Sequence, residues 1–396
     1  MKKWLSLLFV VVLLAATMPL VGCGEEEEKI TYKIGAVLAT TGAASNLGVP
    51  EDNTLKMMEK QINDAGGING HPIEIIIYNT ETKSEKCVTL VDKLIQQDQV
   101  LAIIGPTTSG ESMAIIDTVT QAKLPNVSCA ASIDIVTPID QRFWIFKTPQ
   151  TELQAIHEIY NYLQGEGITE IAIITNTSGF GAGGKKYLES DAAEFGITIL
   201  GAQTFDPDCT DMTAQLTSLN AENPEAIVCW STDKESAVCA QNMQTLNMTM
   251  PLFCSHGIAN KAFIDQAGAA AEGVIFPAGK LLVVDQLSAS DPQKAVLTKY
   301  RSDYEALYGA DTVNTFGGHA YDALSIIVNA LKKLGNTLED LGIVEARAEL
   351  RDEIEKTTNF IGTGGIFNMS TTDHLGMATG SLALIKVQNG GWEPVQ

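Results

Sequence analysis

The stretch from Ile103 to Met113, IIGPTTSGESM, is the most informative part of the chain. An apolar run ends at Gly105-Pro106, hydroxyl side chains follow, and apolar residues then recur at every third position. This order predicts a buried strand, a loop and a helix, with Ser109 as the helix N-cap. Because the first N–H groups of a helix lack intrahelical partners, the loop favours binding of a small anion such as a carboxylate. An ordinary connection that binds nothing is the alternative interpretation.

Short apolar segments alternate with amphipathic segments from Tyr32 onward. The predicted strands are Tyr32–Leu38, Ile73–Tyr78, Leu101–Ile104, Glu170–Thr175, Ile197–Thr204, Ala226–Trp230, Gly273–Phe276, Ile366–Met369 and Ser381–Gln388. The predicted helices are Val49–Asp64, Ser84–Gln96, Glu152–Gln164, Gly183–Phe195, Asp233–Leu246, Pro292–Tyr308, Gly318–Leu334 and Val344–Lys356. Unbroken apolar strands are typical of parallel sheets covered on both faces, so the pattern predicts doubly wound α/β layers. The alternation runs once before Lys147 and again after it, which indicates two such lobes.

Composition narrows the range of functions. The 396 residues are enough for two domains, and 45% of them are apolar, as in an ordinary globular protein. The formal net charge of −22 argues against a nucleic-acid partner, which would require a basic surface. The same charge argues against peripheral binding to anionic lipid.

The N-terminal segment has the pattern of an export signal. Lys2 and Lys3 precede an apolar run from Trp4 to Ala16, which a secretory signal and a single membrane span would both explain. Leu20–Cys23 favours the signal, because it resembles the bacterial lipobox in which the cysteine is acylated. The acidic run Glu25–Glu28 then reads as a solvated tether, so we expect an exported protein anchored to a membrane by lipid at Cys23.

Cysteine and glycine motifs point to neither a disulfide framework nor a cofactor. The six cysteines after Cys23 show no C-x-x-C spacing; buried thiols are expected, and one unassigned disulfide stays open. The segment Gly179–Gly184 matches the dinucleotide pattern G-x-G-x-x-G. Three residues separate it from the preceding strand, however, and the dinucleotide site needs a tight turn at the strand end. We therefore expect no cofactor and interpret the segment as a flexible loop presenting Phe180.

No motif indicates catalysis or a metal site. The chain lacks a nucleophile elbow, a phosphate-binding loop with a lysine, and a paired-histidine zinc motif. Its five histidines are scattered, with none at metal-ligand spacing. Only His256 is a candidate site residue, because it follows a short apolar run and should lie at the carboxyl end of a strand. A hydrogen-bonded loop histidine is the alternative.

Several stretches together resemble the type I periplasmic solute-binding proteins of the leucine/isoleucine/valine-binding family. They are Ile34–Val37, Thr41–Ala44, Ile62–Gly70, Ile104–Ser109, Phe205–Pro207 and Gly317–Leu324. The resemblance implies two α/β lobes joined by three crossing segments that close over a small ligand. It divides the chain into a signal peptide (1–22), a tether (23–30), an N-terminal lobe (31–147 with 278–361) and a C-terminal lobe (148–277 with 362–396). The crossings would lie near Lys147–Gln150, Phe276–Gly279 and Gly362–Gly365.

The resemblance also implies a set of ligand-binding residues. They are Ser109 and Ser132 with Ala131 for the carboxylate, Phe180, Trp230 and Thr232 from the second lobe, and Leu47 beside the side-chain pocket. His256 departs from the family, because a glutamate that pairs with the ligand ammonium is expected there. Burying an ammonium without a counter-charge is costly, so an amine-free and aromatic carboxylate is an alternative to a branched-chain amino acid. Asp233 or Glu235 could replace the missing charge.

The resemblance predicts the function of a non-enzymatic solute-binding lipoprotein of an ABC importer. Its expected partners are a small carboxylate or amino acid, the permease subunits, and a membrane contacted through the lipid anchor alone. We expect a monomer that binds no nucleic acid. A sensory receptor of the same fold and an exported enzyme are the competing functions.

Overall fold

A computed structural model describes residues 30–395, which fold into two lobes built on separate sheets. The predicted signal peptide and the lipidation site Cys23 lie outside the described residues. The first lobe is built on a five-stranded sheet and the second on a seven-stranded sheet. The predicted fold class, two doubly wound α/β lobes with parallel sheets, is confirmed.

The first sheet is entirely parallel, with the strand order β2-β1-β3-β4-β5. Its strands are β1 (Tyr32–Leu38), β2 (Ile73–Asn79), β3 (Ala102–Ile104), β4 (Asn126–Ser128) and β5 (Ile145–Lys147). Buried apolar clusters cover both faces, which explains why these strands read as continuous apolar runs.

The second sheet has the strand order β14-β13-β10-β9-β8-β6-β7. Its strands are β6 (Glu170–Asn176), β7 (Thr198–Phe205), β8 (Ala226–Trp230), β9 (Leu252–Cys254), β10 (Ile275–Gly279), β13 (Leu382–Gln388) and β14 (Gly391–Pro394). Strands β13 and β14 are antiparallel additions at one edge, and the others are parallel. A small hairpin of β11 (Phe360–Ile361) and β12 (Ile366–Phe367) stands apart from both sheets.

Twelve α-helices of the described region pack on these sheets. They are α1 (Ser45–Asp64), α2 (Ser84–Lys93), α3 (Ser109–Ala114), α4 (Ile116–Gln121), α5 (Glu152–Gly165), α6 (Gly179–Asp191), α7 (Thr213–Asn220), α8 (Asp233–Thr245), α9 (Lys261–Ala267), α10 (Lys294–Tyr308), α11 (Thr315–Leu334) and α12 (Ile343–Glu355). Helices α10 to α12 follow β10 along the chain but pack into the core of the first lobe.

Two of the predicted crossing segments contact α11. Thr148, just after β5, donates to the carbonyl of His319 in α11 at 2.9 Å. The backbone N–H groups of Thr363 and Gly364 donate to the Asp322 carboxylate at 2.6 and 2.7 Å. Burial raises the pKa of this carboxyl to about 7. Helix α11 therefore ties together the first and third crossings.

One segment after the third crossing contacts the first lobe. The ring of His374 is buried, its Nδ1 lies 2.8 Å from the carbonyl of Ile145 in β5, and it stacks on Phe146. Met369 belongs to the buried core of the first lobe. The predicted assignment of residues 362–396 to the second lobe stays a prediction, and these contacts place part of that segment against β5.

The structure corrects two predictions about helix starts. Thr108, not Ser109, is the N-cap of α3, because its hydroxyl accepts the N–H of Glu111 at 3.3 Å and Ser109 is the first helical residue. The segment Gly179–Gly184 is the start of α6, capped by Ser178, and is not a flexible loop. Glycine disfavours helix, but a Cβ at Gly181 would lie 1.9 Å from the carbonyl oxygen of Asn176. Tertiary packing thus requires glycines that local propensity penalises.

Candidate ligand-binding cleft

The cleft lies where the carboxyl ends of strands from both lobes face each other. Ser109 follows β3 and Ser132 follows β4 in the first lobe, whereas α6 follows β6 in the second lobe. A Cβ added to Gly179 of α6 would lie 3.1 Å from the backbone nitrogen of Gly110. The two lobes are therefore in contact around these loops, and the cleft is closed.

The two serines predicted to bind a carboxylate lie together and are buried. The backbone N–H of Ser132 donates to Oγ of Ser109 at 3.2 Å, and the Ser132 hydroxyl accepts the N–H of Asp134 at 3.3 Å. Each hydroxyl thus accepts one internal hydrogen bond and has one proton to donate. The Ser132 hydroxyl also lies beside the Glu152 carboxylate. Two adjacent buried O–H donors are suited to holding an oxyanion.

A buried lysine fixes the second of these loops. Nζ of Lys147, at the end of β5, donates to the carbonyls of Ala131 and Pro149, both at 2.7 Å, and to that of Gln150 at 3.3 Å. Burial lowers the pKa of this lysine, and the nearby Glu152 carboxylate opposes the shift. The predicted site residue Ala131 is therefore held through its carbonyl by the first crossing segment.

Glu152 lies beside the Ser132 loop, although its helix packs into the core of the second lobe. It opens α5, is fully buried, and accepts the N–H of Ile133 on Oε2 at 2.9 Å. Burial raises the pKa of the Glu152 carboxyl, and the charge of Lys147 opposes that shift. A carboxyl group is thus fixed directly beside the Ser132 loop.

Three predicted residues of the second lobe form one aromatic wall. Phe180 lies at the start of α6, Trp230 at the end of β8, and His256 just after β9. The ring centroid of Phe180 is 5.2 Å from that of His256 and 5.7 Å from that of Trp230, and Trp230 is 5.7 Å from His256. Edge contacts at these distances stabilise aromatic clusters.

Polar atoms of this wall have no partner among the residues described. They are Nε1 of Trp230 and both ring nitrogens of His256. Burial lowers the pKa of His256 to about 3, with Lys147 and His319 adding to the shift. His256 is therefore neutral at physiological pH and offers one donor and one acceptor. Buried polar atoms of proteins are normally hydrogen-bonded, so this wall is suited to a polar ligand group.

The remaining predicted site residues lie at the edge of the cleft. Leu47 is buried in the first turn of α1. The hydroxyl of Thr232 donates to Oε2 of Glu235 at 3.1 Å, so it is used at the start of its own helix. The structure brings Ser109, Ala131 and Ser132 together on one wall and the three rings together on the other.

Two sets of contacts join the lobes at the cleft margin. In the buried set, Nδ2 of Asn46 donates to Oδ2 of Asp233 at 2.9 Å, and Nδ2 of Asn260 donates to the Asn46 carbonyl at 2.8 Å. In the exposed set, Lys186 and the Tyr187 hydroxyl contact the Asp134 carboxylate at 3.3 and 3.0 Å. Helix α6 and the Asp233 turn are thereby tied to the first lobe.

Sequence reasoning missed several residues of this region. Lys147, Gln150 and Glu152 surround the first crossing, and all three are buried. The one signal was the pairing of Thr151 with Gln154, a capping box that marks a helix start at Glu152. Nothing in the linear pattern showed that charged residues there would face inward.

A family model described as "Periplasmic binding protein" matches residues 31–391. The chain belongs to the type I periplasmic binding protein family. Membership implies an extracytoplasmic location. No helix of the described part of the chain is long and apolar enough to cross a membrane.

Relatives of this binding protein carry names of amino-acid binders. It is 20% identical to the leucine-, isoleucine-, valine-, threonine-, and alanine-binding protein of Pseudomonas aeruginosa, over 77% of this chain and 79% of the relative. It is 19% identical to Leu/Ile/Val-binding protein homolog 3 of Brucella melitensis, over 79% of this chain and 82% of the relative.

Solved structures of the same fold align with nearly the whole binding protein. An extracellular ligand-binding receptor from Rhodopseudomonas palustris HaA2 aligns with a TM-score of 0.86 at 24% identity, over 93% of this chain and 100% of the other. The branched-chain amino acid transporter substrate binding protein of Streptococcus pneumoniae, solved with isoleucine, aligns with a TM-score of 0.79 at 24% identity. That alignment covers 92% of this chain and 99% of the other.

Within the described residues, the cysteines and the potential metal ligands form no further functional site. The six cysteines of the described residues are free thiols, so the disulfide left open by the sequence is not formed. Within residues 30–395, no cluster of three or more His, Cys, Asp or Glu side chains is arranged to hold a metal ion.

Proposed function

We propose that this binding protein is a lipoprotein of an ABC importer that captures a small carboxylate, a branched-chain or related amino acid, between its lobes. The observation that carries the proposal is the pair of buried hydroxyls on Ser109 and Ser132. The N–H of one serine lies 3.2 Å from the hydroxyl of the other, at the ends of adjacent strands and opposite α6.

The chemistry of capture follows from the partners of these serines. Each hydroxyl accepts an internal N–H, so its proton can be donated to a ligand carboxylate. Hydrogen bonds to an ionised group are about twice as strong as neutral ones, and they gain further when water is excluded. Closure of α6 over the Ser109 and Ser132 loops would exclude water from these hydrogen bonds.

The apolar part of the ligand would contact the aromatic wall of Phe180, Trp230 and His256. The names of the Pseudomonas and Brucella relatives favour an amino acid with a branched side chain. The alternative is an amine-free carboxylate, aromatic where it stacks on these rings, and the neutral state of His256 favours it.

Transport rather than sensing is the proposed use of the cleft. The predicted lipidation of Cys23 would hold a monomer at the membrane, where it would deliver its ligand to the permease subunits. A sensory receptor of the same fold is the competing function. Loss of ligand uptake when the protein is deleted supports transport, whereas intact uptake with a lost transcriptional response supports sensing.

Titration calorimetry of the protein against amino acids and aromatic acids tests the proposal. We expect heat from at least one carboxylate and no heat from the matching amide, because the amide lacks the charge that the serines would bind. The absence of heat with every carboxylate tried would contradict the proposed function.

A further inference from the structure

Two acids of α8, Asp233 and Glu235, are not available as counter-charges for a ligand ammonium. Asp233 accepts the Asn46 amide on Oδ2 and the N–H of Lys234 on Oδ1, both at 2.9 Å. Glu235 accepts the N–H of Asp208 at 3.0 Å and the Thr232 hydroxyl at 3.1 Å. The two acids that sequence reasoning offered as substitutes are therefore held by other partners.

Glu152 presents a free carboxyl oxygen between the lobes. Its Oε2 holds the N–H of Ile133, but Oε1 is buried and has no partner among residues 30–395. A Cβ at Gly183 would lie 2.5 Å from this oxygen and 3.9 Å from Oγ of Ser132. Because Gly183 belongs to the second lobe and Ser132 to the first, Oε1 lies where α6 meets the Ser132 loop.

We propose that Glu152 is the counter-charge for a ligand ammonium, so that the cleft selects α-amino acids over amine-free acids. The inference rests on the proposed function, in which Ser109 and Ser132 hold the carboxylate of the same ligand. In an α-amino acid the carboxylate and the ammonium are attached to one carbon, and the Ser132 hydroxyl and Glu152 Oε1 both lie near Gly183. Ser132 precedes Ile133, whose N–H already fixes the Glu152 carboxyl.

The electrostatics around Glu152 favour such a ligand. Burial disfavours the charged form of Glu152, and the charge of Lys147 compensates only partly. A ligand ammonium at Oε1 would supply the missing opposite charge and a charge-assisted hydrogen bond. The glycine at position 183 leaves room for it, since any side chain there would crowd the oxygen.

The test compares ligand pairs that differ only in the amino group. Binding of leucine and 4-methylpentanoate, and of phenylalanine and 3-phenylpropanoate, is measured by calorimetry for the wild-type protein and for Glu152→Gln. Glutamine keeps an acceptor for the Ile133 N–H and removes the charge. We expect the variant to lose at least tenfold in affinity for the amino acids and less than twofold for their amine-free analogues.

Two further variants separate a charge effect from a folding effect. Glu235→Gln removes a carboxylate of the second lobe that is bonded away from the cleft, and both ligand classes should bind it as they bind the wild type. Gly183→Ala keeps Glu152 but places a methyl group against Oε1, so it should weaken amino acids more than amine-free acids even if Glu152→Gln does not fold.

The outcomes are distinguishable. An equal loss for both members of a pair would make Glu152 a structural residue and overturn the inference. A wild-type protein that binds amine-free acids at least as tightly as amino acids would overturn it too, while leaving carboxylate capture intact. Failure of the wild type to bind any of the four carboxylates, or any other acid, would overturn the proposed function itself.

Discussion

The two walls of the cleft differ in how their polar groups are satisfied. On the first-lobe wall, Ser109, Ser132 and Lys147 hydrogen-bond to the neighbouring backbone, so their positions are fixed without a ligand. On the second-lobe wall, the ring nitrogens of Trp230 and His256 are buried without a partner among the described residues. The first wall is thus preorganised for a constant head group, and the second wall is where ligand identity can be read.

The largest expected effect is a loss of folding stability in acid, because the buried His256 ring stays neutral in the folded protein. Its pKa is about 3 in the folded protein and about 6.5 when unfolded. As pH falls through this window, the unfolded chain gains a proton that the folded chain does not, so stability falls by about 1.4 kcal/mol per pH unit. His256→Asn should remove that part of the slope between pH 6 and pH 4, measured by urea unfolding.

Other titrating groups do not obscure this comparison. Burial raises the pKa of Asp233 to about 6 and that of Asp322 to about 7, so both make the folded state more stable as pH falls. Their contributions are present in both proteins and cancel in the difference. Identical slopes for wild type and variant would show that His256 is solvated, and the contrast between the walls would lose its main support.

Removing a hydroxyl from the first wall should weaken ligand binding. Ser109→Ala deletes a donor to the ligand carboxylate and the acceptor for the Ser132 N–H. We expect a loss of about 2 kcal/mol in binding free energy, measured by calorimetry, since hydrogen bonds to charged groups contribute about 1.5–3 kcal/mol.

Ser112→Ala is the matched control on the same helix. Its hydroxyl bonds to that of Ser128 at 2.9 Å within the first lobe. This variant should lose about 1 kcal/mol of stability and no affinity. Equal affinities for wild type and Ser109→Ala would mean that the first wall does not hold the carboxylate.

The rigidity of the second wall can be tested at a glycine. A Cβ on Gly184 would lie 2.2 Å from Nε1 of Trp230, so Gly184→Ala must displace the indole. We expect a loss of about 1–2 kcal/mol in stability, the usual cost of overpacking. In Gly165→Ala, at the end of α5, the added methyl meets nothing within 4 Å and should raise stability slightly. Equal unfolding midpoints for both variants would show a loosely packed wall.

The two walls were also unequally predictable from sequence. Ser109 was found because hydroxyl residues after a buried strand mark a strand end, where ligands of such sheets lie. Ser132 was identified only through the resemblance to the family. The short strands β4 and β5 were not identified, because β4 contains one apolar residue and β5 only two, too few to show a periodic pattern.

Lys147 and Glu152 escaped prediction for a physical reason. Lysine and glutamate are almost never fully buried unless paired, so a linear pattern assigns them to the surface. They are buried because the end of β5, the first crossing segment and the start of α5 pack together. Phe180 was placed in a flexible loop when the dinucleotide motif was rejected, although contacts with Asn176 and Trp230 require its neighbouring glycines in a packed helix.

The smallest expected effect concerns how the walls are held together. Asn46→Ala removes the amide that pairs with buried Asp233, whereas Asp134→Asn removes a charge that pairs with exposed Lys186. A buried carboxylate that loses its partner keeps its desolvation cost, but an exposed ion pair contributes little. Asn46→Ala should therefore release ligand about fivefold faster in stopped-flow measurements, a change of about 1 kcal/mol, and Asp134→Asn should release it at nearly the wild-type rate. Equal release rates for the two variants would mean that neither margin contact stabilises the closed state. The bound ligand alone would then hold the two walls together.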